Sequence, residues 1–151
     1  MEINMVLKPG IIYWPNGNKK SKQWYLDDAL HRTDGPAHIQ YYESGMIHFK
    51  SWYLNGKSHR EDGHAYISYY ETGQIQGKYW MINGMDHRMT GPAEICFLNN
   101  GQKAYELWFI NNNRLTNEEL TEYKDWLVDN NMLYKDILTD EEKVLWKLRW
   151  D

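Results

Sequence analysis

The sequence predicts a mainly β fold: an antiparallel β-meander of stacked 28-residue hairpin repeats, about 8 strands in all, closed by two short C-terminal helices. Three observations predict it. Trp24, Trp52, Trp80 and Trp108 recur at intervals of 28 residues, as do Gly17, Gly45, Gly73 and Gly101, and self-similarity at one fixed period marks a repeat array. Within a copy, Ala65, Ile67 and Tyr69 alternate with Tyr66 and Ser68, the period of a half-buried strand. Beyond Thr116 that period gives way to helical spacing. A chain of 151 residues with 42% hydrophobic content fills one compact domain, so 1–151 is read as a single unit, with the array over 11–112 and a helical cap over 116–150.

Taken in order, the array opens with a half copy, "YWPNGNKKSKQW" from Tyr13. The three lysines Lys19, Lys20 and Lys22 in this first hairpin fit an edge strand protected against pairing. Each full copy then reads Trp, two apolar residues, a turn, His-Arg, Gly, an alternating strand and a Tyr pair. The strands Ala37, Ile39, Tyr41 and Ala93, Ile95, Phe97 repeat the pattern of Ala65 to Tyr70. A short turn follows, "ESG", "ETG" or "LNNG", whose Gly supplies a positive φ, and then a longer strand such as Gln74 to Ile82. Each copy is therefore expected to be two antiparallel strands.

Because 28 is even, equivalent residues keep one face of the sheet from copy to copy. Alternation assigns Ile39, Tyr41, Ile47, Ile67, Tyr69, Ile75, Tyr79, Ile95, Phe97, Tyr105 and Leu107 to the core face. It assigns the four Trp residues to the other face, one per two strands and roughly 9 to 10 Å apart. After "WFINNN", Thr116 with Glu119 and Thr139 with Glu142 fit capping boxes. Leu120, Tyr123, Leu127 and Val144, Leu145, Leu148 recur at helical spacing, and Trp126, Trp146 and Trp150 share these segments. A terminal cap is what a repeat array needs to cover its last packing face.

Composition narrows the function classes. Net charge is −4, from 17 basic and 21 acidic residues, so the basic stripe of a duplex nucleic-acid binder is missing. The single cysteine, Cys96, excludes an intrachain disulfide, and its place in a strand marks it as a packed residue. "MEINMVLKPG" has neither a basic start nor an apolar run, and no stretch approaches the roughly 18 apolar residues of a membrane span. A cytoplasmic protein with no membrane partner is expected. With 8 Trp and 12 Tyr against 3 Phe, the aromatic residues suit half-buried sheet surfaces and binding faces.

The loops "HRTDG" (His31 to Gly35), "HREDG" (His59 to Gly63) and "HRMTG" (His87 to Gly91) admit three chemistries. A metal would need several ligands within about 2.1 Å, but each loop brings one His and its copies lie roughly 9 to 10 Å away; no metal and no cofactor are expected. A catalytic base at His31, His59 or His87 with Asp34 or Asp62 as its partner is disfavoured, because repetition spreads the same residues along a rim. The third loop also has Thr90 in place of the acid, and no nucleophile elbow or phosphate loop occurs. A structural loop remains: Asp caps amides, Gly63 takes an unusual backbone shape, Pro36 and Pro92 stiffen the exit, and Arg reaches its acidic neighbour. Arg32, Arg60 and Arg88 still form a cationic row beside aromatic rings, suited to a phosphate or an acidic protein surface.

With Tyr, a turn Gly, an aliphatic strand and "NG" in each copy, as in "YYETGQIQGKYWMING" (Tyr69 to Gly84), the array resembles the MORN-variant repeat family over about residues 11 to 110. The inserted "HRxDGPA" element looks like a lengthened form seen in proteins of bacteriophages and large DNA viruses, and in bacterial proteins often labelled antitoxin-like. The resemblance implies stacked hairpins and binding rather than catalysis, and brings no catalytic residues. It leads us to expect a small viral or phage protein in the host cytoplasm that binds and blocks a host defence or toxin protein. Its binding residues would be a rim of His31, Arg32, Asp34, His59, Arg60, Asp62, His87 and Arg88, or an aromatic face of Trp24, Trp52, Trp80, Trp108, Tyr42 and Tyr70. The alternative is a sponge for a nucleotide-like molecule, with the base on Trp52 or Tyr70 and the phosphate on Arg60 and its copies. Asp27-Asp28, His64 and Thr90 depart from the repeat pattern, and exposed sheet edges offer pairing between two copies as a homo-oligomer.

Overall fold

The computed structural model describes residues 8–135 and 137–150; most of the N-terminal stretch read above, residues 1–7, lies outside them. The half copy supplies β1 (Gly10–Tyr13) and β2 (Lys19–Gln23), followed by β3 (Tyr25–Leu26) and β4 (Ala29–Leu30). The next copies give β5 (His38–Tyr41), β6 (Ile47–Ser51), β7 (Tyr53–Leu54), β8 (Lys57–Ser58), then β9 (Tyr66–Tyr69), β10 (Ile75–Tyr79), β11 (Met81–Ile82) and β12 (Met85–Asp86). The last strands are β13 (Glu94–Phe97), β14 (Lys103–Leu107), β15 (Phe109–Ile110) and β16 (Asn113–Arg114), before α1 (Asn117–Asp129) and α2 (Asp140–Trp150).

Eight strands form one antiparallel meander in the order β1-β2-β5-β6-β9-β10-β13-β14. The other eight form four ribbons, β3-β4, β7-β8, β11-β12 and β15-β16. The expected long strand over Gln74 to Ile82 is thus two strands, β10 and β11, interrupted at Trp80. The ribbons turn on Asn55-Gly56, Asn83-Gly84, Asp27-Asp28 and Asn111-Asn112, all at positive φ, the left-handed geometry that closes a two-residue hairpin and tolerates Asn and Asp best after Gly. At the opposite ends of the long strands, Gly17, Gly45, Gly73 and Gly101 turn the chain at φ between 82 and 91°. The outermost strand is β1, so the lysines of β2 lie inside the sheet rather than on its edge; the half copy begins one strand earlier than its Trp-Gly pattern implies.

Each long hairpin carries one β-bulge. The register skips Lys20, His48, Gln76 and Ala104, again 28 residues apart. One extra residue per hairpin reverses the parity of everything after it. Ile39, Tyr41, Ile47, Ile67, Tyr69, Ile75, Ile95 and Phe97 therefore share one face as expected, but Tyr79, Tyr105 and Leu107 lie on the other, opposite Tyr66, Cys96 and Glu94. The same reversal moves the Trp residues. The amides of Trp24, Trp52 and Trp80 donate to the carbonyls of Ala37, Ala65 and Ala93 at 2.8, 2.8 and 2.7 Å. These bonds continue the strand register by one step, onto the side of Ile39, Ile67 and Ile95.

The sheet is covered mainly by its own side chains. On one face the stems of Lys50 and Lys78 flank buried Ile67. On the other, His38, Phe49, Tyr66 and Tyr79 run ring to ring at centroid spacings of 4.9, 5.2 and 5.4 Å, above buried Ser51, Ser68 and Gly77. Among the described residues a layered hydrophobic core forms at the C-terminal end, where Trp108, Tyr123, Leu127, Met132, Leu138 and Trp146 pack together. Both capping boxes form: the Thr116 hydroxyl accepts from the Glu119 amide and the Thr139 hydroxyl from the Glu142 amide. Val144, Leu145 and Leu148 do not join this core, because α2 turns Trp146 and Trp150 inward instead. No helix among the described residues is long and apolar enough to cross a membrane.

Ala65 is fully buried between neighbouring copies, so Ala65→Leu is expected to cost about 2 kcal/mol by overpacking, read as a lower midpoint in urea unfolding.

Candidate functional site

The His-Arg loops are built around one contact. The guanidinium of Arg32 lies 4.2 Å from the Trp24 ring centroid, that of Arg60 4.4 Å from Trp52, and that of Arg88 4.0 Å from Trp80. The Arg32 Nε donates to Asp34 at 2.7 Å and the Arg60 Nε to Asp62 at 2.8 Å. Further bonds run from Arg32, Arg60 and Arg88 to the carbonyls of Pro36, His64 and Pro92. The loop glycine makes room for this. A Cβ at Gly35, Gly63 or Gly91 would stand 3.0, 3.3 or 2.9 Å from the Arg Cζ, and Gly35 and Gly91 are not at positive φ. At Gly35 and Gly91 the close approach of the arginine is what favours glycine, while Gly63 combines that approach with the unusual backbone shape expected of it, φ 159°.

The loop histidines reach forward. His31 Nδ1 accepts from the Asn55 amide at 3.1 Å, His59 Nδ1 from Asn83 at 3.2 Å and His87 Nδ1 from Asn111 at 3.1 Å. Each therefore pins the ribbon turn of the next copy, 24 residues on. At the other end of the strands the Tyr42 hydroxyl donates to the Tyr69 carbonyl and the Tyr70 hydroxyl to the Phe97 carbonyl, both at 2.8 Å. Backbone bonds from Arg32, Arg60 and Arg88 to Tyr53, Met81 and Phe109 tie the same copies together.

The structure thus places the sequence-predicted rim and aromatic residues within the joints of the array. Trp24 is buried, Trp52 and Trp80 are half-buried, and each lies under its own arginine. Trp108, only 2% exposed, is covered instead by Lys124 of α1, 4.8 Å from its ring centroid. The C-terminal helices cover this one Trp of the four. Asp34 and Asp62 have their carboxyls held below the usual carboxylate range by hydrogen bonds from Arg32 and Arg60. Their contribution to stability is present above the ordinary carboxylate pKa and is lost as pH falls through the depressed one. Among the described residues no group of His, Cys, Asp or Glu gathers closely enough to hold a metal.

The third loop serves the cap. Thr90 is 4% exposed, its hydroxyl donates to the Lys135 carbonyl, and its own carbonyl accepts from the Tyr134 amide. The Tyr123 hydroxyl donates to the Met89 carbonyl and receives the Trp146 indole N–H. An aspartate at position 90 would bring a carboxylate against a carbonyl under this roof, which accounts for the departure from the repeat.

Two clefts lie along the loops. The first, of about 550 Å³, lies between the Arg32 and Arg60 loops over Trp52 and Leu54, with two basic side chains against three acidic ones, Asp34, Glu61 and Asp62. The second, of about 570 Å³, lies between the Arg60 loop, the Arg88 loop and α2, over Trp80, Ile82, Leu138 and Trp146. Its border carries Arg60, Arg88, Lys143 and Lys147 against Glu61 and Asp62. The α2 residues of this cleft are not among the sequence-predicted site residues; the signal for them is Lys143 and Lys147 one turn apart beside Trp146.

These features define a hairpin-repeat scaffold, clasped loop to ribbon and closed by a helical cap. Comparison with family models, curated proteins and solved structures returned no match, and the class rests on this geometry.

Arg60→Ala removes the cover of Trp52 and the Asp62 bond together and is expected to destabilise the protein by about 2 kcal/mol, with Arg60→Lys intermediate; thermal unfolding with Trp fluorescence reads both. Thr90→Asp, which restores the repeat residue, is expected to cost about 3 kcal/mol by burying a carboxylate against the Lys135 carbonyl in place of the hydroxyl that donates to it. Hydrogen exchange should show α1 and α2 losing protection first.

Proposed function

We propose that this chain is a non-enzymatic binding protein that docks a host protein through the outer face of α2. One observation carries the reading: Val144, Leu145 and Leu148 are 56, 47 and 81% exposed. At 100° per residue they share one side of the helix, opposite Trp146. Exposed aliphatic residues at this spacing are the anchors of a helix laid into an apolar groove. The repeat array supports the role as a scaffold, since its Trp, Arg, His and Tyr side chains hold copies together and fix the cap by way of Thr90 and Met89.

The resemblance to MORN-variant repeats belongs to the same proposal. On this reading a viral or phage protein of this build masks a host defence or toxin protein in the host cytoplasm. The surface that does so is the apolar face of α2 rather than the Trp ladder, whose rings lie beneath Arg32, Arg60, Arg88 and Lys124.

The test is capture from host lysate on the tagged protein and on Leu145→Glu/Leu148→Glu, a pair of surface changes that leave folding within about 1 kcal/mol. A stoichiometric protein held by the parent chain and lost by the variant is the expected result. Equal capture by both, or none by the parent, overturns the reading.

A further inference from the structure

The two clefts have nearly the same size and are walled by copies of the same loop, yet they differ in charge. In the first, acidic side chains outnumber basic ones; in the second, four basic side chains face two acidic ones. Two changes produce the reversal. Thr90 stands where the other loops carry Asp34 and Asp62, and α2 contributes Lys143 and Lys147. In a chain of net charge −4, a cationic border around an apolar floor concentrates field inside the cleft and draws in anions.

We propose that this second cleft binds a small organic anion with a planar ring, of the size and charge of a nucleoside diphosphate. A cavity of about 570 Å³ falls within the range of small-molecule sites and lies at the junction of array and cap. The ring would lie on the floor made by Trp80 and Ile82, against the edge of the buried Trp146, and the phosphates would meet Lys143 and Lys147. Trp80 is already sandwiched on one side by Arg88, and Trp146 is held edge-on by His87 at 5.7 Å, so the floor is set before a ligand arrives. Lys143 Nζ has Asp140 at 3.7 Å, but that carboxylate is 97% exposed, and a surface pair of this kind yields easily to a phosphate.

Two loops and the inward side of α2 wall this floor. The site is therefore separate from the outer face of α2, on the opposite side of the same helix. It does not depend on the docking role proposed there, and either can fail alone.

Isothermal titration of the full chain with ADP, inorganic pyrophosphate and adenosine, at low salt and alongside Trp fluorescence, tests the proposal. ADP should bind and quench Trp emission, and each of the other two should bind at least about tenfold more weakly, because each supplies one half of the contacts. Lys143→Glu/Lys147→Glu, and separately Lys147→Ala, should weaken ADP by about tenfold or more, while Lys19→Glu, a single charge reversal on distant β2, should leave it unaltered. Absence of ADP binding at millimolar concentration overturns the proposal. So does ADP binding no tighter than that of pyrophosphate, or binding that the α2 lysine variants do not weaken.

Discussion

The arginine laid across a tryptophan is the contact on which the array depends. A single sheet of eight strands gains little burial from layers above or below it, so each copy has to close its own surface locally. The guanidinium does this by covering an indole face, satisfying an adjacent carboxylate and reaching a loop carbonyl at once. A cation over an aromatic ring contributes on the order of 1 kcal/mol, modest alone but repeated at Trp24, Trp52 and Trp80 and replaced by lysine at Trp108. The rest of the loop follows from it: glycine because a Cβ would strike the guanidinium, aspartate to fix the Nε, and a carbonyl to take the far nitrogen.

Much of this fold is legible in the sequence. The 28-residue period, the alternation of Ala65, Ile67 and Tyr69, and the two capping boxes lead directly to the meander and its cap. The assignment of faces is not legible, because a bulge leaves no mark in composition: Lys20, His48, Gln76 and Ala104 have nothing in common except their spacing. Counting straight through them carries Tyr79, Tyr105 and Leu107 to the wrong side and the Trp ladder with them.

The candidate site was partly legible for a related reason. His31 and Asn55 are 24 residues apart and belong to different copies, so a motif read within one copy shows a histidine with no evident partner and suggests chemistry. The bond that employs it crosses a boundary between copies. On α2, helical spacing picked out Val144, Leu145 and Leu148 correctly as one face, but it cannot say which of two apolar faces turns inward. The larger aromatic pair, Trp146 and Trp150, took the core. Departures from the repeat proved more informative than the repeat itself, since Thr90 marks both the seat of the cap and the change in charge between the two clefts.

The bonds that histidine and tyrosine side chains make across copies run in one direction along the chain. Histidine and tyrosine side chains always belong to the earlier copy and grasp the later one. The last copy has Leu98 where Tyr42 and Tyr70 stand, and Leu115 and Thr116 where the others have His-Arg. It has given up its grip as well as its successor. An array of this polarity can lengthen by duplicating an internal copy, since the insert brings its own hands and presents the same holds to the copy before it. It cannot lengthen at its C-terminal end without first discarding the helices. Growth from the middle, with the cap kept in place, is what this polarity permits.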